Sequence, residues 1–172
     1  EANLVFAKRL RGDTGSSLQR YVLGVMLTAI TREANRLLSN AYGGRYQLRR
    51  SDDRTGRALK KGLELEVYDS RHNAYRSVTT LSGGEKFLVA LSLAIGLSTV
   101  VQAQGHGMQL EAMFVDEGFG SLDRESVTDA LEVLQGIQRS AGIVGIISHV
   151  DQLAETIPTK IRITKGKDGS QC

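Results

Sequence analysis

Two neighbouring carboxylates, Asp116 and Glu117, close the apolar run Met113-Phe114-Val115. Successive strand residues point in different directions. One carboxylate at a strand end can therefore serve a magnesium ion, directly or through water, while the other orients or deprotonates an attacking water. The same pair also fits the solvated start of a loop. Upstream, Leu81-Ser82-Gly83-Gly84-Glu85 precedes the most apolar segment of the chain. Two glycines and a hydroxyl at a helix N-terminus suit an anion: the first-turn N–H groups lack partners, the helix dipole is positive there, and glycine lets a phosphate approach the backbone. Ser82 and Glu85 equally fit a capping box. Further on, Asp123 in Ser121-Leu122-Asp123 is placed to cap the next helix, and His149 follows Ser148 after another apolar run. A lone histidine in that position is more often a structural hydrogen-bonder than a catalytic group.

These residues need elements to position them. Leu18, Val22, Val25, Met26, Ala29, Ile30, Leu37 and Leu38 recur largely at three- and four-residue steps, which predicts a helix over Leu18 to Tyr42 with Gly43-Gly44 as its stop. The period then becomes two: Tyr46 and Leu48, then Leu63, Leu65 and Val67, alternate with polar residues as half-buried antiparallel strands do. Arg50 to Gly62 reads as a polar connector and Tyr75 to Val78 as a short third strand. From Ser82 the order is helix over Glu85 to Gln104, strand at Ala112 to Asp116, helix over Arg124 to Arg139, strand at Ile143 to Ile147, and an outer strand at Ile161 to Thr164. Continuous apolar runs predict parallel central strands buried on both faces. The fold class is α/β, with flanking helices and an N-terminal antiparallel β hairpin. In an open α/β sheet ligands sit at the carboxyl ends of the strands, where Asp116, Glu117 and His149 all fall.

The 172 residues, 41% hydrophobic, suffice for one domain with a core built from aliphatic side chains, since aromatics are 5% and Trp is absent. Cys172 is the only cysteine, so no intramolecular disulfide forms, and a cytoplasmic location is expected. The most apolar stretch, Phe87 to Val101, is shorter than the ~20 residues of a membrane span and predicts a buried helix and no membrane partner. Charge is uneven. Residues 1 to 61 carry 13 Lys/Arg against 5 Asp/Glu, net +8, whereas residues 62 to 172 carry 9 against 14, net −5. Arg45, Arg49, Arg50, Arg54, Arg57, Lys60 and Lys61 are candidates to neutralise nucleic-acid phosphates, or else form a solvated loop.

In this order and spacing the motifs resemble the ABC ATPase family: signature motif at Leu81 to Glu85, Walker B at Met113 to Glu117, D-loop at Ser121 to Asp123, switch histidine at His149. Leu-Ser-Gly-Gly-Glu-Lys-Phe with Asp-Glu-Gly-Phe-Gly-Ser-Leu-Asp is similar to the bacterial SbcC branch of SMC-like DNA repair ATPases, as are Ala34-Asn35 with Leu37-Leu38 and Gly44-Arg45-Tyr46 with Leu48. The resemblance implies the C-terminal lobe of an ABC-type ATPase head. In it Leu81, Ser82, Gly83, Gly84, Glu85 and Lys86 belong to the nucleotide-binding signature, with Ser82 and Gly84 on the γ-phosphate of ATP held by an opposing head. Asp116 supports Mg2+, Glu117 polarises the hydrolytic water, Ser121, Leu122 and Asp123 couple the two sites, and His149 contacts the γ-phosphate. Lys86 equally fits an ordinary exposed helix lysine. Gly118 stands where transporters usually have Pro, which argues against an importer or exporter.

A nucleotide-binding head also needs Gly-x-x-x-x-Gly-Lys-Ser/Thr to cradle phosphates, and no stretch of this sequence reads so. The nearest, Gly56-Arg57-Ala58-Leu59-Lys60-Lys61, lacks a second glycine and a following hydroxyl. By the resemblance, an N-terminal lobe carries that loop and a long coiled coil separates the two lobes. Residues 1–15 are then expected to be the stub of the returning coil and residues 16–172 the lobe itself. The partners implied are the N-terminal lobe, a second SbcC-like head, an SbcD-like nuclease and double-stranded DNA, with ATP and Mg2+ as cofactors and no activity from this lobe alone. A non-enzymatic DNA-binding module and a transporter lobe are the competing readings.

Overall fold

The computed structural model describes residues 18–51, 63–105, 111–141, 143–166 and 169–171. Helix α1 spans Leu18–Leu38 and buries Thr31, Ala34 and Leu38. It ends before the glycine pair: Asn40 N–H reaches Leu37 O at 3.2 Å, tightening the last turn, and a 3-10 turn over Ala41–Gly44 follows. The helix thus ends about one turn before the predicted stop, and Gly43 and Gly44, at φ of 58° and 73°, reverse the chain into the first strand.

Strands β1 (Tyr46–Arg50), β2 (Leu65–Asp69) and β3 (Ala74–Ser77) form an antiparallel sheet in that order, with Tyr46 opposite Asp69 and Leu48 opposite Val67. The two-residue period puts Tyr46, Leu48 and Val67 on one buried face, where they meet Ala34 and Leu38 of α1. Asn35 of α1 closes the edge of β1: its side-chain amide donates to Leu48 O at 2.8 Å and its Oδ1 accepts from Leu48 N–H at 2.7 Å. Asn35→Ala leaves both strand groups unpaired and should cost about 1–3 kcal/mol. Thermal unfolding measures it, and a loss below about 0.5 kcal/mol would mean that water replaces the amide.

Helix α2 (Gly83–Gln104) is the centre of the molecule. Val89 packs into the cluster of α1 and the antiparallel sheet, while Leu88, Leu91 and Ile95 pack into a second cluster with Val115, Phe119, Val127, Leu134 and Leu153. A helix apolar on all sides is what such double burial requires. At 22 residues α2 is long and apolar enough to cross a membrane, longer than the apolar stretch 87–101 indicates, but eight of its residues are buried, Leu88, Val89, Leu91 and Ile95 in these two clusters. Gly96 marks its crossing with α1: a Cβ there would lie 2.7 Å from Ile30 O.

The chain then runs β4 (Ala112–Asp116), α3 (Arg124–Ala141) and β5 (Ile143–Ile147), with β4 and β5 parallel and Asp116 opposite Ile147. The pair is buried on one face only. Met113, Val115, Val144 and Ile146 turn to the core, whereas Phe114 is 70% and Ile143 67% exposed on the other side, which corrects the expectation of strands covered twice. A short helix α4 (Asp151–Thr156), not foreseen from the sequence, follows β5. The outer strand expected at Ile161 to Thr164 lies later: 161–163 pair with nothing among the described residues, and β6 (Thr164–Gly166) forms a hairpin with β7 (Gly169–Gln171).

Candidate functional site

The carboxylate pair sits where β4 ends. Glu117 N–H continues the ladder by donating to Ile147 O at 2.9 Å, and the backbone then turns sharply, with Glu117 at φ 56° and Gly118 at φ 91°. Left-handed backbone at a non-glycine residue persists only where its surroundings impose it. This turn lifts the Glu117 carboxylate to the sheet's rim, where His149 Nδ1 lies 3.1 Å from Oε2. The two residues are 32 apart in sequence and meet because β4 and β5 are parallel and in register at their carboxyl ends. Gly120 lies beside the His149 ring, a Cβ there standing 3.4 Å from Nε2. Both side chains are exposed, so the pair is presented outward.

Asp116 is exposed beside them. Among the described residues no three ligating side chains converge on one point. A hard divalent cation such as Mg2+ is commonly held by one or two carboxylates together with waters and substrate phosphates, and a single open carboxylate at a strand end fits that role.

The glycine turn lies next to this rim. Ser82 caps α2 in a complete capping box: its hydroxyl accepts from Glu85 N–H at 3.3 Å, and Glu85 Oε2 accepts from Ser82 N–H at 2.8 Å. Gly83 and Gly84 are packed as well as open-backboned. A Cβ on Gly83 would meet Ser121 Cβ at 3.5 Å, and one on Gly84 would meet Leu122 Cδ2 at 3.0 Å. The loop Ser121-Leu122-Asp123 is thus the surface on which the glycine turn rests. Asp123 Oδ1 accepts from Ser126 N–H at 2.8 Å, capping α3 as its position suggests, and this bond holds its carboxyl below the usual range.

Three assignments change with the fold. Leu81 is 3% exposed inside the cluster of α1 and the antiparallel sheet, so it anchors the turn and does not line a nucleotide surface. Glu85 faces inward: Tyr46 donates its hydroxyl to Oε1, and Arg45 and Arg76 stand 3.8 and 3.7 Å away. Burial raises its pKa, but the bonds from Tyr46 and Ser82 and the charge of Arg76 outweigh that and leave it below normal. Arg45 is withdrawn from any phosphate-facing group, since its guanidinium is 17% exposed and bonds Asp69 through Nε at 2.9 Å and Nη2 at 2.8 Å. Of the other basic candidates, Arg49 pairs with Glu66 at 2.9 Å and lies over the Tyr75 ring, and Arg50 lies against Gly24. Arg54, Arg57, Lys60 and Lys61 lie outside the described residues. Lys86 is exposed on the first turn of α2.

Asp69 is a residue the motifs do not reveal. It is 0% exposed and accepts from Arg45, from Arg76 Nη2 at 3.1 Å and from Arg71 N–H at 3.1 Å, with His72 Nδ1 at 3.0 Å. The Arg45 bonds, aided by His72 and the Arg71 N–H, hold its carboxyl far below the ordinary carboxylate range despite burial. Burial and the neighbouring Glu85 push the Tyr46 phenol well above its usual value, so it stays a hydrogen donor. A cluster of Asp69, Arg45, Arg76 and Glu85 therefore ties the antiparallel sheet to the capping box of α2. The strand period carried a hint, because Leu65, Val67 and Asp69 share a face and the third should be inward.

A glycine turn capping a central helix, a loop seated on it, and an acid–histidine pair at the ends of parallel strands together define the signature-motif and Walker B lobe of an ABC-type, SMC-like ATPase head. A solved structure from work on ATP-driven dimerization and DNA-stimulated activation of SMC ATPases shares the fold, with a TM-score of 0.67 at 17% identity over 88% of this chain and 86% of that one. Residues 51–136 match the family described as SbcC/RAD50-like, Walker B motif. The chain is 45% identical over 161 residues to the SbcC subunit of the SbcCD nuclease of Vibrio cholerae, covering 92% of this chain and 16% of that protein. It is 44% identical over 151 residues to the same subunit of the Staphylococcus haemolyticus SbcCD nuclease, covering 88% and 15%. The chain belongs to the SbcC/RAD50-like family and spans about one sixth of the length of these relatives.

Proposed function

We propose that this lobe, joined to an N-terminal lobe that supplies the phosphate loop, hydrolyses ATP across a pair of heads and so controls a nuclease acting on DNA ends. The observation that carries this reading is the Glu117–His149 pair at the parallel strand ends, set beside a glycine turn that no phosphate loop in the same sequence accompanies. Glu117 polarises and accepts a proton from the attacking water. His149, 3.1 Å away, orients that carboxylate and reaches toward the γ-phosphate. Asp116 helps hold Mg2+, which neutralises charge on the phosphates when bound. Gly83 and Gly84 offer backbone N–H groups, Ser82 its hydroxyl and the exposed Lys86 its charge to a nucleotide on the opposing head. Ser121, Leu122 and Asp123, on which that turn rests, carry its movement toward Glu117.

The uncovered apolar side of β4 and β5, with Phe114 and Ile143 outward, supports an N-terminal lobe as its cover, because parallel sheets are normally buried on both faces. Leu18, Tyr21, Val22 and Val25 are exposed on the first half of α1, next to residues 1–15, and offer a surface for an SbcD-like nuclease. Double-stranded DNA is the expected substrate of the whole assembly, met by the basic first third with Arg49, Arg50, Arg54, Arg57, Lys60 and Lys61. A cytoplasmic, nucleoid-associated location accords with that role.

The decisive experiment is reconstitution. This lobe alone should show no ATP turnover above background, and addition of the N-terminal lobe should bring it to about 0.1–10 per second, within the range of phosphoryl-transfer enzymes or somewhat slower. Turnover by this lobe alone, or none from the reconstituted pair, would overturn the reading.

A further inference from the structure

The signature helix touches the catalytic turn directly through Phe87. Gly118, the residue after Glu117, has no room for a side chain: its ideal Cβ would overlap the Phe87 ring, lying 2.6 Å from Cδ2. Phe87 also packs edge-on against Phe119, centroids 4.9 Å apart, and Phe119 is fully buried. Glu117 and Gly118 are consecutive residues with φ of 56° and 91°. A proline at 118, with φ fixed near −65°, cannot form this turn, and any other side chain would displace the ring. The flat ring on one side and the Glu117 N–H to Ile147 O bond on the other thus clamp the left-handed pair.

We propose that Phe87 is a positioning residue for hydrolysis: its ring, lying on Gly118, fixes the left-handed turn that aims the Glu117 carboxylate, and transmits movement of the signature helix to it. The inference rests on the ATPase reading above. In that reading the helix end at Ser82 serves a nucleotide on the opposing head, whereas Glu117 serves the nucleotide on its own head. Phe87, one turn along the same helix, then links the two sites within a single lobe. The contact is independent of the one between Gly84 and Leu122, because it acts on the backbone next to the catalytic carboxylate and not on the loop beyond it.

The test uses the full-length protein and measures ATP turnover, KM for ATP and ATP-driven association. Phe87→Ala should lower kcat by about tenfold to a hundredfold with KM and association within about twofold of wild type, as expected when a catalytic group is misplaced and binding is spared. Phe87→Leu, which refills part of the space but lacks the flat ring, should lower kcat less, by severalfold. Wild-type kcat in Phe87→Ala overturns the proposal, as does a parallel loss of kcat and association, which a mere packing residue would give. Should the alanine variant fail to fold, the leucine variant decides: a severalfold lower kcat with intact association supports the proposal, and wild-type kcat overturns it. Glu117→Gln is measured alongside. If it turns over normally, the ATPase reading and this proposal fall together; if it is inactive while Phe87→Ala is wild type, the positioning role alone falls.

Discussion

Glu117→Gln in the full-length protein should reduce ATP turnover by about 10²–10⁴-fold, the usual contribution of a positioned general base, while nucleotide-driven association of heads survives. The substitution keeps shape and keeps a polar partner for His149 Nδ1, which lies 3.1 Å from Oε2, so the turn and the strand end stay as they are. It removes only the negative charge that draws a proton from water. The exposed Asp116 is untouched, and so is the capping box that presents Ser82 and Gly84. Steady-state phosphate release and light scattering with and without ATP check the two halves of this statement. Undiminished turnover would overturn the catalytic role proposed for Glu117.

The second large effect falls on stability. Asp69→Ala should cost about 3–5 kcal/mol, because it removes the buried carboxylate that both Arg45 and Arg76 bond and leaves them only the more distant Glu85 as counter-charge. Asp69 is 0% exposed and bonded by both arginines, which are themselves largely withdrawn from solvent. The acid dependence has a definite sign. The native carboxyl titrates far below its ordinary value of about 3.9, so its contribution is fully present above that value and is lost as the pH falls toward the native pKa. Wild type and Asp69→Asn should therefore differ most above about pH 4, and the gap should narrow as the pH falls below that value. Denaturant unfolding of the transition assigned to this lobe, at neutral pH and at pH 3, measures both. An Asp69→Ala variant within about 1 kcal/mol of wild type at neutral pH would show that the arginines find other partners. Because Arg45 and Arg76 also stand 3.8 and 3.7 Å from Glu85, the same change loosens the cap of the signature helix.

The sequence by itself determined what depends on short-range pattern. The apolar runs 112–116 and 143–147 are β4 and β5 residue for residue, and the helices over 83–104 and 124–141 differ from expectation by two residues at an end. The capping roles of Ser82, Glu85 and Asp123 were legible because a cap is a contact across three residues. The order of the motifs identified the family, since it needs no coordinates. Only the tertiary structure decided the rest. That Glu117 faces His149, that Gly118 is filled by Phe87, and that Gly84 rests on Leu122 are contacts set by parallel register and by the angle at which α2 lies on the sheet. Arg45 reads in the sequence as one more charge of a basic segment, and its burial against Asp69, 24 residues on, follows from the β1–β2 register. Local sequence sets which groups a segment can offer. The partner each group finds depends on chain far away, so its chemistry belongs to the fold.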